Sequence, residues 1–200
     1  MAVKKRKGKE ELVYLAKWEF INALLILFLY MALTSVVQMR FGQLEAFSAG
    51  QVSFLQLLPY QLNWVSFYPV LLLCILLLIG SFYWYNLLNR LQRKRALSKK
   101  QIGRLYSMLN LGVLGLFVLY IPLFLLIRTQ TSLLEYAIAL FIYLFSIIEY
   151  INYFHIRLSF YTKRALGLSV TKPLNILLRQ EEGSPSLLAR EIAFYKRKRT

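Results

Sequence analysis

The stretch NWVSFYPVLLLCILLLIGSFYWYNLLNR, residues 63–90, decides the class of the fold. It overlaps a longer segment, Ala46 to Asn89, that has no charged side chain, and a second charge-free segment runs from Leu105 to Ile127. About 20 apolar helical residues cross the hydrocarbon core of a bilayer, which is about 30 Å thick. Barrel strands are shorter, about 10 residues, and alternate in polarity. These segments are therefore predicted to be membrane-spanning helices.

The whole chain combines an apolar composition with strong positive charge. Of its 200 residues, 58% are hydrophobic, the mean hydropathy is +0.50, and the formal net charge is +16. One cysteine, one histidine and the absence of aspartate exclude a disulfide framework within the chain and a Cys- or His-rich zinc site. They also exclude the aspartate-based sites typical of magnesium and phosphoryl-transfer chemistry. We predict no cofactor and no metal.

Four spans follow from the hydropathy pattern, and they divide the chain into three parts. The parts are a basic N-terminal segment, residues 1–17, a transmembrane domain, residues 18–155, and a basic tail, residues 156–200. The expected fold is an all-α integral membrane four-helix bundle with a short basic cytoplasmic C-terminal helical tail. The predicted spans are residues 20–39, 63–88, 105–127 and 133–154.

The distribution of lysine and arginine predicts the orientation. The segment before Trp18, the loop after the second span and the segment after the fourth span hold 6, 7 and 10 basic residues. The other two loops hold one each, Arg40 and Arg128. Because cytoplasmic loops carry the excess of basic residues, we predict a multi-pass protein of the plasma membrane with both termini in the cytoplasm.

The basic segments predict contact with the lipid bilayer through anionic headgroups, where each basic residue contributes about 1 kcal/mol. In the tail, Ser186 is expected to cap a short amphipathic helix. Its apolar face would contain Leu187, Leu188, Ile192 and Tyr195. The orientation rule is sufficient to explain the basic runs, so nucleic acid is not expected as a partner. The residues predicted to contact lipid or a protein partner are Arg93, Lys94, Arg95, Lys99, Lys100, Lys196, Arg197, Lys198 and Arg199.

Local signals in the second and third spans make three smaller predictions. Ser98 and Gln101 have the spacing of a capping box, which predicts that the third helix begins in water. Gly112 and Gly115, three residues apart, give a weak signal for close helix contact. Two prolines in similar settings, Pro69 and Pro122, either kink their helices and open a cavity or are simply tolerated.

The candidate functional residues lie in and near EYINYFHIRLSF, Glu149 to Phe160, which contains the only histidine. Glu149 lies inside the cytoplasmic end of the fourth span, and residues at i+3 and i+4 share its face. Ionisable residues inside spans are functional candidates by default. The candidate polar inter-helix or relay site consists of Glu149, Asn152, Tyr153, His155, Arg104 and Asn110.

Two interpretations of this site remain open. The first is a clasp between helices, with Arg104 of the third span as the partner of Glu149, or with Lys17 or Trp18 beside Glu19 on the first span. The second is a proton or cation relay from Glu149 to His155. Glu19 itself lies near a span border, where a carboxylate reaches the headgroups, so a structural role is expected for it.

The same segment resembles segments that follow the last span in small bacterial membrane proteins with an EYINY-like sequence. The resemblance covers this segment alone. It implies a bacterial origin, and it carries over no activity and no site.

Short outer loops, sparse polar residues in the spans and a basic cytoplasmic face favour a non-catalytic protein. We expect an accessory, scaffold or assembly subunit of a larger membrane complex, with a membrane-protein partner or a second copy of the chain. The alternative is a small transporter or channel with a polar path near Glu149. A lipid-modifying membrane enzyme that uses Glu149 and His155 as acid and base is the least favoured, since the chain has a single histidine and no aspartate.

Overall fold

The computed structural model describes residues 2–38, 50, 63–127, 133–156 and 185–197. Within these residues the regular structure is helical, apart from an isolated bridge between Ile156 and Pro185. Four of the helices are long and apolar enough to cross a membrane, which confirms the predicted all-α four-span fold. The helices are α1 (Ala2–Gln38), α2 (Trp64–Leu91), α3 (Lys99–Ile127), α4 (Leu133–Phe154) and α5 (Leu187–Arg197).

Two helices extend beyond the predicted spans at their N-terminal ends. Helix α1 begins at Ala2, so the basic N-terminal segment is helical and continuous with the first span. Helix α3 begins at Lys99, immediately after Ser98, the first residue of the predicted capping box. The Ser98 N–H donates to Gln101 Oε1 at 2.9 Å, and the Gln101 N–H donates to Ser98 Oγ at 3.3 Å. The capping box is confirmed, and α3 starts before its apolar run.

Helix α2 is the central helix of the bundle. Of its most apolar window, 56% is buried, against 11% for α1, 17% for α3 and 22% for α4. Helices α1 and α4 both pack along α2. One apolar cluster joins α2, α3, α4 and α5 around Leu76 and Tyr106, and another joins α1 to α2 around Ala23 and Leu73. The outer faces of α1 and α3 carry exposed large apolar side chains, as expected for surfaces in lipid.

Tyrosine hydroxyls tie the helices to one another through backbone carbonyls. A hydroxyl inside a membrane has no water to bond, so it finds an acceptor on a neighbouring helix. Such bonds join α2 to α3 in both directions and α4 to α3. They run from Tyr68 to the Leu116 carbonyl (2.9 Å), Tyr106 to Ile79 (2.8 Å), Tyr120 to Val65 (2.7 Å) and Tyr143 to Phe117 (3.1 Å).

One of these bonds explains how α2 tolerates an internal proline. Pro69 has no N–H, so it leaves the carbonyl four residues earlier, that of Val65, without its helical partner. The Tyr120 hydroxyl of α3 donates to this carbonyl, and Pro69 is itself buried. The structure thus favours a tolerated proline over a cavity at this position. Pro122 lies on an exposed face of α3.

The turn between α2 and α3 is held by one buried side chain. The Leu97 N–H donates to Asn86 Oδ1 at 2.8 Å, and Asn86 Nδ2 donates to the Leu97 carbonyl at 3.4 Å. Just after α2, Arg93 has a φ of 55°, a left-handed conformation common where helices end. We call this end of the bundle, where Leu91 and Lys99 lie, the basic end.

Helix α5 packs on the basic end. Ser186 caps it: its Oγ accepts the Ala189 N–H at 3.0 Å and donates to the Tyr153 carbonyl of α4 at 2.5 Å. Leu188 and Ile192 are buried in the apolar cluster that includes α3 and α4. The Ser186-capped helix is present as predicted, but the centre of its apolar face covers the bundle. Leu188 and Ile192 are therefore covered by the bundle, because the ends of α3 and α4 present an apolar surface next to α5.

Candidate functional site

A group of polar side chains lies among α1, α2 and α4, inside the spans and towards the basic end. Glu19 of α1 accepts the indole N–H of Trp84 of α2, with Nε1 and Oε1 2.8 Å apart. Asn152 of α4 donates to Glu149 Oε2 of the same helix at 3.3 Å. The Tyr153 hydroxyl lies within hydrogen-bond reach of the Glu19 carboxylate. We call Glu19, Trp84, Glu149, Asn152 and Tyr153 the carboxylate cluster.

A glycine in α2 makes room for this cluster. A Cβ built at Gly80 would overlap Glu19 Oε2 and would lie 2.6 Å from the Tyr153 hydroxyl. Both side chains therefore rest against the backbone of α2, and a side chain at position 80 would have to displace them. Trp84 follows Gly80 by four residues, so it lies on the same face of α2 and completes the site from one side.

The charge balance of the cluster is unusual for a membrane interior. The ion pair found among the described residues joins Arg90 to Glu191. Neither Glu19 nor Glu149 is therefore paired with a basic side chain in the described part of the chain. The donors are neutral: an indole, a phenol and an amide. Glu19 Oε2 is fully buried and makes no hydrogen bond of good geometry, although the Tyr153 hydroxyl is near. Carboxylates in such surroundings are costly, and they attract positive charge.

The structure separates the residues that the sequence grouped into one site. Glu149, Asn152 and Tyr153 belong to the carboxylate cluster. Asn110 of α3 instead accepts the Tyr150 hydroxyl, with Oδ1 2.6 Å from the oxygen. His155 is exposed, and its ring lies edge-on to Tyr150 with centroids 5.3 Å apart. The predicted site is therefore two sites on different faces of α4.

Arg104 is not the partner of Glu149. It is exposed on α3 and lies beside Tyr195 of α5. The helix that supplies a neighbour to Glu149 is α1, through Glu19, because α1 and α4 both pack on α2. The candidates on the first span, Lys17 and Trp18, are exposed, and the hydrogen-bond donor to Glu149 is Asn152 of its own helix.

A continuous series of aromatic rings fills the space between α3 and α4. Consecutive ring centroids lie 4.7–5.9 Å apart, in tilted or edge-to-face arrangements that suit aromatic pairs. The series extends along the facing sides of the two helices and ends near the basic end. Its members are Tyr136, Phe124, Tyr120, Tyr143, Phe117, Tyr150 and His155.

The residues predicted to contact lipid or a partner are exposed wherever the structure describes them. Two of them, Lys198 and Arg199, lie outside the described residues. Exposure at the basic end is compatible with contact to lipid and to protein alike, and it does not select between them. The exposed members are Arg93, Lys94, Arg95, Lys99, Lys100, Lys196 and Arg197.

Sequence reasoning missed the roles of Glu19, Gly80 and Trp84. The position of Glu19 near a span border predicts contact with the headgroups, whereas the structure places this side chain against Gly80 and Trp84. The available signal was that Glu19 interrupts the apolar start of the first span. The register of α1 against α2, which brings Glu19 to Gly80, is a tertiary property that hydropathy does not encode.

Comparison of the chain with protein-family models, with curated proteins and with solved structures finds no match. The geometry of the bundle and of its polar residues therefore carries the functional argument.

Proposed function

We propose that this chain is a non-catalytic accessory, scaffold or assembly subunit of a larger complex in a bacterial plasma membrane, with both termini in the cytoplasm. The observation that supports this most directly is that polar side chains inside the spans form hydrogen bonds to neighbouring helices. The Tyr106 and Tyr120 hydroxyls bond backbone carbonyls of α2, Ser81 Oγ donates to the Ala16 carbonyl of α1, and Asn110 accepts from Tyr150. Polar groups used in this way hold helices together and line no passage.

The packing between helices supports the same conclusion. Aromatic rings fill the region between α3 and α4, and the Tyr30 hydroxyl bonds Ser66 Oγ at 2.9 Å between α1 and α2. A bundle locked by such contacts suits a rigid platform better than a protein that alternates between open states.

The surfaces left outside the bundle suit an assembly partner. Helix α1 crosses the membrane with only 11% of its most apolar window buried. Its outer face carries large side chains such as Leu25, Phe28 and Leu29, which are 47%, 59% and 54% exposed. Another spanning helix can pack on this face, and the basic end can contact anionic lipid headgroups at the same time.

Cross-linking in native membranes tests the proposal. In a Cys74→Ala background, a cysteine is introduced by Phe28→Cys on the outer face of α1, with Leu126→Cys on α3 as the matched exposed control. We expect Phe28→Cys to give a cross-linked product with a partner or a second copy, in greater yield than the control. A chain that migrates as a monomer on native gels and gives no product at either position contradicts the proposal.

A second candidate function, a small proton or cation transporter, is favoured by the carboxylate cluster. Glu19 and Glu149 lie near each other inside the spans, and within the described residues no basic side chain is paired with them. Flux measurements in liposomes test this function with Glu19→Gln, Glu149→Gln and the exposed control Glu10→Gln. Flux that is lost in the first two variants and retained in the control supports transport. The absence of flux through the wild-type protein contradicts the transport function.

The lipid-modifying enzyme has less support. Its acid and base, Glu149 and His155, have different neighbours: Glu149 accepts from Asn152, and His155 lies against the Tyr150 ring at the surface. An acid–base pair needs both groups within reach of one substrate atom, and this arrangement does not bring them together.

A further inference from the structure

A groove of about 440 Å³ lies at the basic end between α3 and α5. It is open to the surroundings of the protein and is separate from the carboxylate cluster. Four residues of α3 and one of α5 line it: Arg104, Ser107, Met108, Leu111 and Tyr195.

The lining changes from charged to apolar in the direction of the span. Arg104, Ser107, Met108 and Leu111 have the spacing i, i+3, i+4 and i+7, which places them on one face of the helix. With a rise of about 1.5 Å per residue, Leu111 lies about 10 Å deeper along α3 than Arg104. We call the cationic part at Arg104, near the end of the span, the mouth of the groove. The part at Met108 and Leu111, deeper along the helix, is its apolar floor.

A close helix contact builds the wall of the groove. A Cβ at Gly103 would lie 2.6 Å from Tyr195 Cβ and 2.7 Å from the Glu191 carbonyl oxygen, so the glycine lets α5 approach the backbone of α3. This approach places Tyr195 next to Arg104, which follows Gly103 in the chain. The groove therefore depends on the docking of α5.

The apolar floor continues as a shallow furrow along α3. Met108 and Leu111 are 65% and 70% exposed. Gly112 and Gly115 lie further along the same side of the helix, and a Cβ at either would meet no described atom within 4 Å. The close helix contact that these glycines weakly signalled is absent from the described part of the chain. They leave a depression on a face turned towards lipid.

The mouth of the groove has a free cation. Within the described residues, the Arg104 guanidinium makes no hydrogen bond and no ion pair, and it is exposed. Its acidic neighbour on α5, Glu191, is engaged by Arg90, with distances of 2.8 and 3.0 Å between nitrogen and oxygen. Ser107 places a hydroxyl one turn away. A guanidinium with nearby hydroxyl groups matches the geometry and charge of a phosphodiester.

We propose that this groove is a binding site for one anionic phospholipid. The phosphate and headgroup contact Arg104, Ser107 and Tyr195, and an acyl chain lies along Met108, Leu111 and the furrow at Gly112 and Gly115. The site deepens the lipid contact of the proposed function, because it depends on the basic end facing an anionic leaflet. A partner helix fits the groove less well, since its mouth is cationic and the polar-to-apolar direction follows that of a lipid molecule.

Native mass spectrometry of the purified full-length protein tests the site, with phosphatidylglycerol compared with phosphatidylcholine. We expect wild-type protein to retain one phosphatidylglycerol about tenfold more tightly than phosphatidylcholine, since charge-assisted hydrogen bonds are the strong ones. Arg104→Gln should abolish this preference. Arg190→Gln, which removes an exposed cation of α5 outside the groove, should keep it.

A second arm tests the furrow without changing charge. Gly112→Leu fills the depression, and the open space around Gly112 together with the better helix propensity of leucine leaves folding intact. We expect this variant to lose several-fold in phosphatidylglycerol retention at an unchanged melting temperature. Gly112→Ala, which leaves most of the furrow open, should retain the lipid.

Three results would overturn the site. The first is equal retention of the two lipids by wild-type protein, and the second is an unchanged lipid preference in Arg104→Gln. The third is cross-linking of Met108→Cys between two copies in phosphatidylglycerol membranes, because it would place a second helix in the furrow. These results concern the purified chain and leave the assembly role intact. A protein that retains the lipid but forms no complex in native membranes would instead contradict the assembly role alone.

Discussion

Helices α2 and α3 are nearly identical in length and mean hydropathy and very different in the bundle. They have 28 and 29 residues, their most apolar windows have mean hydropathies of 2.4 and 2.3, and each contains one proline. Yet 56% of that window is buried in α2 and 17% in α3. Hydropathy therefore identifies the segments that enter the membrane, and it does not identify the helix that becomes the centre of the bundle.

The difference lies in where the small and polar residues of the two helices point. In α2, Ser66, Cys74 and Ser81 each bond α1, to the Tyr30 hydroxyl and to the carbonyls of Ala23 and Ala16. On α3, the glycines at 112 and 115 face open space. Small residues promote helix contact only when a partner helix reaches them, because without a hydrophobic driving force in lipid the association depends on close packing and hydrogen bonds.

The most severe test of this comparison exchanges a glycine for leucine in each helix. We expect Gly80→Leu to destabilise the protein by about 3 kcal/mol or more, because the side chain overlaps Glu19 and Tyr153 in a contact of three helices. Gly112→Leu should leave stability unchanged or slightly higher. Unfolding by a denaturing detergent measures both. Similar stability of the two variants would mean that α2 is not the central helix.

The next test removes the connection between α2 and the tail helix. Arg90 and Glu191 form a bidentate ion pair whose side chains are 17% and 13% exposed. We expect Arg90→Gln to cost about 2 kcal/mol in the docking of α5, since it leaves a poorly solvated carboxylate with a weaker partner. Faster amide hydrogen exchange in Leu188–Ile192 would report the loss.

The control for this test is Arg93→Gln, which removes an exposed cation just beyond the end of α2. Its effect on exchange in α5 should be negligible. If both variants release α5 equally, general charge at the basic end holds the helix, and the specific pair does not.

A smaller effect is expected where α3 supports the proline of α2. Tyr120→Phe removes the hydroxyl that donates to the Val65 carbonyl at 2.7 Å. Hydrogen bonds between spanning helices contribute about 0.6–2 kcal/mol, so we expect a loss of about 1 kcal/mol. Thermal unfolding in detergent measures it, with Tyr85→Phe, at a tyrosine that is 57% exposed, as the control. The same substitution is also made in a Pro69→Ala background. If Tyr120→Phe lowers the stability of Pro69→Ala as much as it lowers that of the wild-type protein, the bond does not depend on the proline.

The smallest effect is expected at the start of α3. Ser98→Ala removes one half of the capping box, and we expect a loss of about 1 kcal/mol or less, because the cap is exposed to water. Gln101→Ala should cost a similar amount, and the double variant less than the sum, since the two bonds form one unit. Strict additivity in thermal unfolding would show that the two bonds act independently.

Local signals that concern a single helix were sufficient for prediction. The hydropathy pattern predicted four spanning helices, Ser98 with Gln101 predicted the start of α3, and Ser186 predicted the cap of α5. Each depends on residues close together in the chain, whose physical effect is the same in any fold. The contact of Glu19 with Gly80 and Trp84 could not be predicted in this way, because residues on α1 and α2 meet only after the two helices pack together.

The sequence by itself determined that this is a helical membrane protein with one strongly basic side, since the polar backbone groups of a long apolar segment in lipid must be hydrogen-bonded within the protein, and a helix achieves this. The tertiary structure decided which helix is central, that Glu19 meets Tyr153 at Gly80, and that Arg104 faces a groove beside Tyr195. These relations depend on helix register and rotation. Lipid surrounds every apolar face equally well, so only close packing and hydrogen bonds between particular residues select one arrangement.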